Sequence, residues 1–133
     1  WFASLHQWPL YPGSGALWET GIGAGRGATV NIPFPAGTDG PAYRKSWLEY
    51  LEPPLREFQP ELILLSAGFD AHRLDPLADL NAEADDYAWL TAELVALARR
   101  HARGRVVSLL EGGYSLAALR ECSVAHVRAL ASA

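Results

Sequence analysis

The sequence predicts an α/β fold in which a mostly parallel sheet is flanked by helices. Residues 61–67 form a continuous apolar run of strand length, the pattern of a strand covered on both faces, and residues 105–110 read as a second buried strand. Each run is followed by a stretch of helical periodicity, and this order of strand, helix, strand, helix joins parallel neighbours through crossovers.

The chain opens on an apolar strand at residues 1–5. A loop to about residue 28 follows, holding Pro9, Pro12 and six glycines from Gly13 to Gly27. A loop of that length is too long for a simple connection and points to function. Residues 29–34 are a short strand closed by Pro33 and Pro35, and a helix follows over 41–58, interrupted or ended near Pro53 and Pro54. The run at 61–67 is expected to be central. Apolar residues at Tyr87, Leu90, Leu94, Leu97 and Ala98 recur at helical spacing, so 85–102 reads as an amphipathic helix stopped at Gly104. The strand at 105–110 leads through Gly112 and Gly113 into a last helix over 115–131.

Composition narrows the function. The chain has 133 residues, half of them hydrophobic, which is enough for one core and argues a single domain. A net charge of -4 offers no basic face for phosphates, so nucleic acid is not an expected partner. Cys122 is the one cysteine, which excludes an internal disulfide and fits a reducing, cytoplasmic setting. No apolar run approaches the roughly 18–20 residues that span a bilayer. Methionine is absent and Trp1 stands inside what reads as a strand, so a segment cut from a longer protein is expected.

In open α/β sheets ligands bind beyond the carboxyl ends of the strands. After 61–67 comes Gly68-Phe69-Asp70-Ala71-His72-Arg73-Leu74-Asp75-Pro76, and after 105–110 comes Glu111-Gly112-Gly113-Tyr114. Asp70, His72 and Asp75 are ligand types that suit zinc, although a catalytic zinc usually takes three protein ligands and these residues do not by spacing alone make a set. Two plainer roles stand beside that one: Asp70 capping the turn and His72 packing or hydrogen-bonding at the surface. Tyr114 is either a crevice residue brought in by the glycine pair or an aromatic filling the gap beside a tight turn.

Six segments then carry a resemblance: Ser4-Leu5-His6-Gln7, Tyr11-Pro12-Gly13-Ser14-Gly15, Gly21-Ile22-Gly23-Ala24-Gly25, Asn31-Ile32-Pro33, Ser66 to His72 with Asp75-Pro76, and Glu111-Gly112-Gly113-Tyr114. In order and approximate spacing they resemble the histone deacetylase and acetylpolyamine amidohydrolase family, in its class II-like bacterial branch, over nearly the whole chain. The resemblance implies the C-terminal portion of an arginase/deacetylase-type three-layer fold across residues 1–133, with the N-terminal portion of the domain absent. It implies zinc-dependent removal of acetyl groups from acetylated lysine or an acetylpolyamine. Asp75 would bind zinc, Tyr114 would donate its hydroxyl to the substrate carbonyl, Gly112 and Gly113 would floor the pocket and Tyr11 would line the acyl tunnel. Ser4 and the Leu5 carbonyl would belong to a structural potassium site. Asp70-Ala71-His72 imitates the family's Asp-x-His ligand pair, which the resemblance instead places upstream of this chain together with the paired histidines that handle the proton. His6, His72, His101 and His126 do not match those histidines. The isolated chain is therefore expected to be inactive and to bind zinc poorly.

Two other readings stay open. An arginase-like ureohydrolase shares the scaffold but wants an aspartate where this chain has His72. A non-catalytic fragment or interaction module is the other. A cut sheet would expose Trp1, Phe2 and Trp8 and favour self-association through its open edge.

Overall fold

The computed structural model describes residues 1–132. Strand β1 (Phe2–Gln7) leads through a long connection to β2 (Thr29–Phe34), then come helices α1 (Gly40–Ser46) and α2 (Glu52–Phe58), β3 (Ile63–Ala67), α3 (Ala84–His101), β4 (Val106–Leu110) and α4 (Leu116–Ala131). The strands form two parallel pairs, β1 with β2 and β3 with β4, and among the described residues no ladder joins the pairs. One core holds them together, with Ile32 and Phe34 of β2, Ile63 of β3 and Leu94 and Leu97 of α3 in a single buried cluster.

Strand β1 runs two residues past its predicted end because His6 and Gln7 pair with Pro33 and Phe34. Polar residues gave no apolar signal there. The β1–β2 crossover contains only a 3₁₀ turn, Gly23–Gly25. Gly21 closes it at φ +100, where a Cβ would overlap the Gly25 carbonyl.

The prolines near 53 do not end the helix. They begin α2, and the backbone reaches them through a π turn at Trp47–Leu51. Neither Pro53 nor Pro54 has an amide hydrogen for the regular ladder, and the wider turn absorbs that loss. Leu51, 2% exposed, fixes the turn in the core, a burial that contributes about 1.5–3 kcal/mol.

The expectation that 61–67 is covered on both faces is corrected by the structure. Helices α3 and α4 pack on one face, whereas Leu64 is 68% exposed and Val107 and Leu109 lie open beside it. The apolar run is long enough for two covered faces, and the described residues supply one layer. Of the aromatics expected at the open edge, Phe2 is exposed, while Trp1 stacks on Phe58 at 6.3 Å and Trp8 is half-buried.

Helix α3 begins with a capping box between Glu83 and Asp86. The Asp86 carboxylate also takes Arg44 of α1 at 2.8 Å, which ties the two helices. The helix stops where Arg103 and Gly104 turn left-handed, at φ +54 and +74.

His126 of α4 joins three elements. The Thr91 hydroxyl donates its single proton to the Tyr87 carbonyl, so it accepts from His126 Nδ1, which leaves His126 Nε2 to accept from Ser108 Oγ. Burial pushes this imidazole below its ordinary value of 6.5. The unfolded chain therefore takes up a proton below about pH 6.5 that the folded ring refuses, and stability is lost as pH falls through that value. We expect the melting temperature of the full-length protein to drop more between about pH 7.5 and about pH 5 than that of His126→Gln, as followed by circular dichroism. Parallel curves for the two proteins would refute this.

Candidate active site

The β3–β4 ladder continues past both strand ends and sets two loops side by side. Glu111 N donates to the Ala67 carbonyl at 3.1 Å, and Phe69 N donates to the Gly112 carbonyl at 2.9 Å. Phe69, 3% exposed, pins the first loop by edge-on contacts with Tyr87 and His126. Gly113 has φ +127, and a Cβ there would stand 3.1 Å from Phe69 Cβ. At Gly112 a Cβ would overlap the Asp70 carboxylate. Both glycines allow the loops this close approach.

Asp75 and Tyr114 meet across the two loops. Asp75 Oδ2 accepts from Tyr114 N and Oδ1 accepts from Leu77 N, each at 2.9 Å. The Asp75 side chain is buried and carries no cationic partner among the described ion pairs. Each carboxylate oxygen keeps a lone pair beyond its amide contact, which suits a metal ligand held in one orientation. Tyr114 is 57% exposed although its amide is bonded to Asp75, so its backbone is fixed while its side chain faces outward.

Asp70 lies between Gly68 and Gly112. Burial raises its carboxyl above the ordinary range, its own backbone amide pulls the other way, and Asp75 and Glu111 add to the rise. His72 is not at the surface but fully buried, and it bonds within the loop rather than to solvent. Among the described residues no three acidic, histidine or cysteine side chains are placed to hold a metal ion together. Asp75 thus fits a zinc site as one ligand and not as a set.

The remaining candidates lie elsewhere. Ser4, Leu5, Tyr11 and Asp70 line a cleft of about 790 Å³ between β1, its long loop and the 70–80 segment, and neither Asp75 nor Tyr114 is in its wall. Tyr11 is 95% exposed there. Ser4 Oγ sits 2.8 Å from His6 Nδ1, and His6 Nε2 donates to the Gly15 carbonyl at 2.8 Å, so the Ser4 hydroxyl is already engaged within the chain. As the Gly15 carbonyl can only accept, His6 Nε2 carries the proton and Nδ1 accepts from Ser4. Reading the chain alone missed Glu83 and Glu121, which stand at 3.5 and 3.1 Å from His72 Nε2. The capping-box spacing of Glu83 and Asp86 was the visible signal for the first, and Glu121 had none.

The Histone deacetylase domain family matches residues 1–130. A probable deacetylase of Archaeoglobus fulgidus is 48% identical over 86% of this chain and 32% of its own length. Histone deacetylase 14, chloroplastic, of Arabidopsis thaliana is 42% identical over 97% of this chain and 30% of its own. A histone deacetylase-like amidohydrolase of Pseudomonas aeruginosa is 38% identical over 96% and 34%. Among solved structures, the HD domain of HDA15 superposes with a TM-score of 0.91 at 32% identity, over 98% of this chain and 36% of that one. The chain spans about a third of the length of these relatives. No helix among the described residues is long and apolar enough to cross a membrane. The family match over residues 1–130 and the superposition over nearly the whole sequence agree, and the chain belongs to the histone deacetylase domain family.

Proposed function

We propose that this chain is the part of a zinc-dependent amidohydrolase that supplies one metal ligand and the oxyanion donor for removing acetyl groups from lysine or a polyamine. The observation that carries the reading is the bond from Tyr114 N to Asp75 Oδ2, which joins a buried carboxylate to an exposed phenol across 39 positions of sequence, at the carboxyl ends of neighbouring strands. Zinc, when bound, polarises the amide carbonyl and brings the pKa of water toward neutrality. The chain's own residues do the rest of what it contributes. Asp75 holds its oxygens in place through Leu77 and Tyr114 amides. The Tyr114 hydroxyl donates to the oxygen on which charge develops as the carbonyl becomes tetrahedral. Gly112 and Gly113 let the second loop approach without side-chain obstruction. Tyr11 lines the acyl channel, and Ser4 with the Leu5 carbonyl contributes to a potassium site.

The two remaining zinc ligands and the base come from outside residues 1–133 in this reading. The uncovered face of Leu64, Val107 and Leu109 is where the rest of the domain packs, or else a second copy of the chain. A reducing compartment, the cytoplasm in our reading, suits the single buried thiol, which burial, then Glu121 and Glu83, push up to about 12.

The test is to purify the full-length protein and residues 1–133 separately, measure bound metals by mass spectrometry, and follow hydrolysis of an acetyl-lysine peptide and an N-acetylpolyamine. The full-length protein is expected to hold zinc and hydrolyse at least one substrate, and residues 1–133 to do neither. Hydrolysis by residues 1–133 at the full-length rate, or a manganese pair in place of zinc, would overturn the reading.

A further inference from the structure

We infer that His6 is a positioning residue for the segment that carries Tyr11, and that through it the β1–β2 pair sets the width of the acyl channel. The inference rests on the reading of Tyr11 as a wall of that channel. His6 and Asn31 stand in segments singled out in the sequence, have no part in the hydrolytic chemistry, and are both brought onto the long loop by the fold. Ser4 and His6 alternate onto one face of β1, and Asn31 of β2 is the register partner of Ser4, so all three project from the same side of the pair. His6 Nε2 donates to the Gly15 carbonyl while Nδ1 accepts from the Ser4 hydroxyl, each at 2.8 Å, which fixes both the tautomer and the plane of the ring. On its other side Gly15 N donates to Glu19 Oε2 at 2.7 Å, and the Glu19 carbonyl accepts from the buried Asn31 Nδ2 at 2.8 Å. Gly15 has φ +92, and a Cβ there would overlap the His6 ring.

The segment is thereby tied at both ends. At its start, Trp8 N donates to the Phe34 carbonyl at 2.9 Å, a bond between backbones that continues the β1–β2 ladder. At its end, Gly15 is held by side chains. Between these points residues 9–14 form an exposed arch, with Tyr11 in the turn that Gly13 N closes on the Leu10 carbonyl at 2.7 Å. Tyr11 is almost fully exposed, so packing does not hold it and its place follows from where the arch is anchored. His6, Tyr11, Ser14 and Gly15 all face the same cleft, and a shift of the arch therefore changes how wide that cleft is.

The two ring nitrogens can be removed separately. In His6→Gln the side-chain amide reaches the place of Nε2 and keeps a donor for Gly15. In His6→Asn the amide stops near the place of Nδ1, so Ser4 keeps its acceptor and the Gly15 bond is lost. In the full-length protein the Gly13 and Gly15 amides are expected to exchange with solvent roughly 5- to 10-fold faster in His6→Asn, the effect of one lost hydrogen bond, and at the wild-type rate in His6→Gln. Hydrolysis is then followed on acetyl- and butyryl-lysine peptides and on the matching N-acylated polyamines. His6→Asn is expected to raise the butyryl-to-acetyl ratio of kcat/KM about 10-fold, the order of discrimination that methylenes carry in a fitted pocket, with kcat on the acetyl substrate within about threefold of wild type. His6→Gln is expected to keep the wild-type ratio, and in a Tyr11→Ala background His6→Asn is expected to add nothing, since no ring is left to misplace. Equal changes in both His6 variants that follow their melting temperatures would make His6 a packing residue and overturn the inference. A faster-exchanging arch with an unchanged acyl ratio would overturn it as well. A wild-type protein that hydrolyses none of the four substrates overturns the amidohydrolase reading and the acyl channel with it, while the exchange comparison still decides whether His6 holds the arch.

Discussion

Replacing Tyr114 with phenylalanine in the full-length protein is expected to lower kcat about 10²- to 10³-fold, the loss of roughly 3–4 kcal/mol typical of one oxyanion donor. The structure separates the two things this residue does. Its backbone amide holds Asp75 Oδ2 at 2.9 Å, and phenylalanine leaves that bond intact. The residue is 57% exposed, so removing the hydroxyl leaves no buried group unpaired and little stability is at stake. KM should change little, because the hydroxyl acts where charge develops and not on the ground-state amide. Zinc content and melting temperature should match wild type. A variant with full kcat would show that Tyr114 only fills the gap beside the glycine turn, the plainer of the two roles its sequence setting allowed.

How much of this was legible beforehand depends on where the determining contacts lie. Helix α3 was legible almost to the residue, because apolar spacing, an acidic start and Gly104 are local signals and all point one way. That the 68–75 and 111–114 loops both lie beyond the carboxyl ends of strands followed from the apolar run before each, and their backbone pairing is what the structure adds. The path into α2 was only partly legible, since two prolines read as an interruption or an end of the helix and only the packing of Trp47 and Leu51 shows the backbone widening into a π turn. Coverage of β3 was misjudged for a related reason. A run of leucines reports how much apolar surface a strand has and not how many layers the chain brings to it. The depth of His72 had no local sign at all. Ala-His-Arg reads as surface, and the carboxylates that face the buried ring, Glu121 on the last helix and Glu83 beyond the turn, lie on other elements. Asp75 and Tyr114 were picked out by family resemblance, and their mutual bond is what the structure adds.

Substituting Asp75 with asparagine is expected to abolish zinc binding in the full-length protein at temperatures where the fold is intact, and activity with it. Asparagine preserves size but has one acceptor where aspartate has two. Both Asp75 oxygens receive a backbone N–H, from Leu77 and from Tyr114, so the new NH₂ must face one of those donors. One amide is left unpaired at a buried position, at a cost of about 1–3 kcal/mol. If that amide is Tyr114's, the oxyanion donor is released from its place as the charge that attracts the metal disappears. Asp75→Glu separates the effects, since it keeps the charge while displacing the oxygens. It should retain weak zinc binding with lowered kcat, whereas asparagine should retain none. Metal analysis well below the melting temperature decides the point. Zinc that persists in Asp75→Asn while the melting temperature falls would make Asp75 a structural clamp between the two loops, and the ligand role would have to be sought elsewhere.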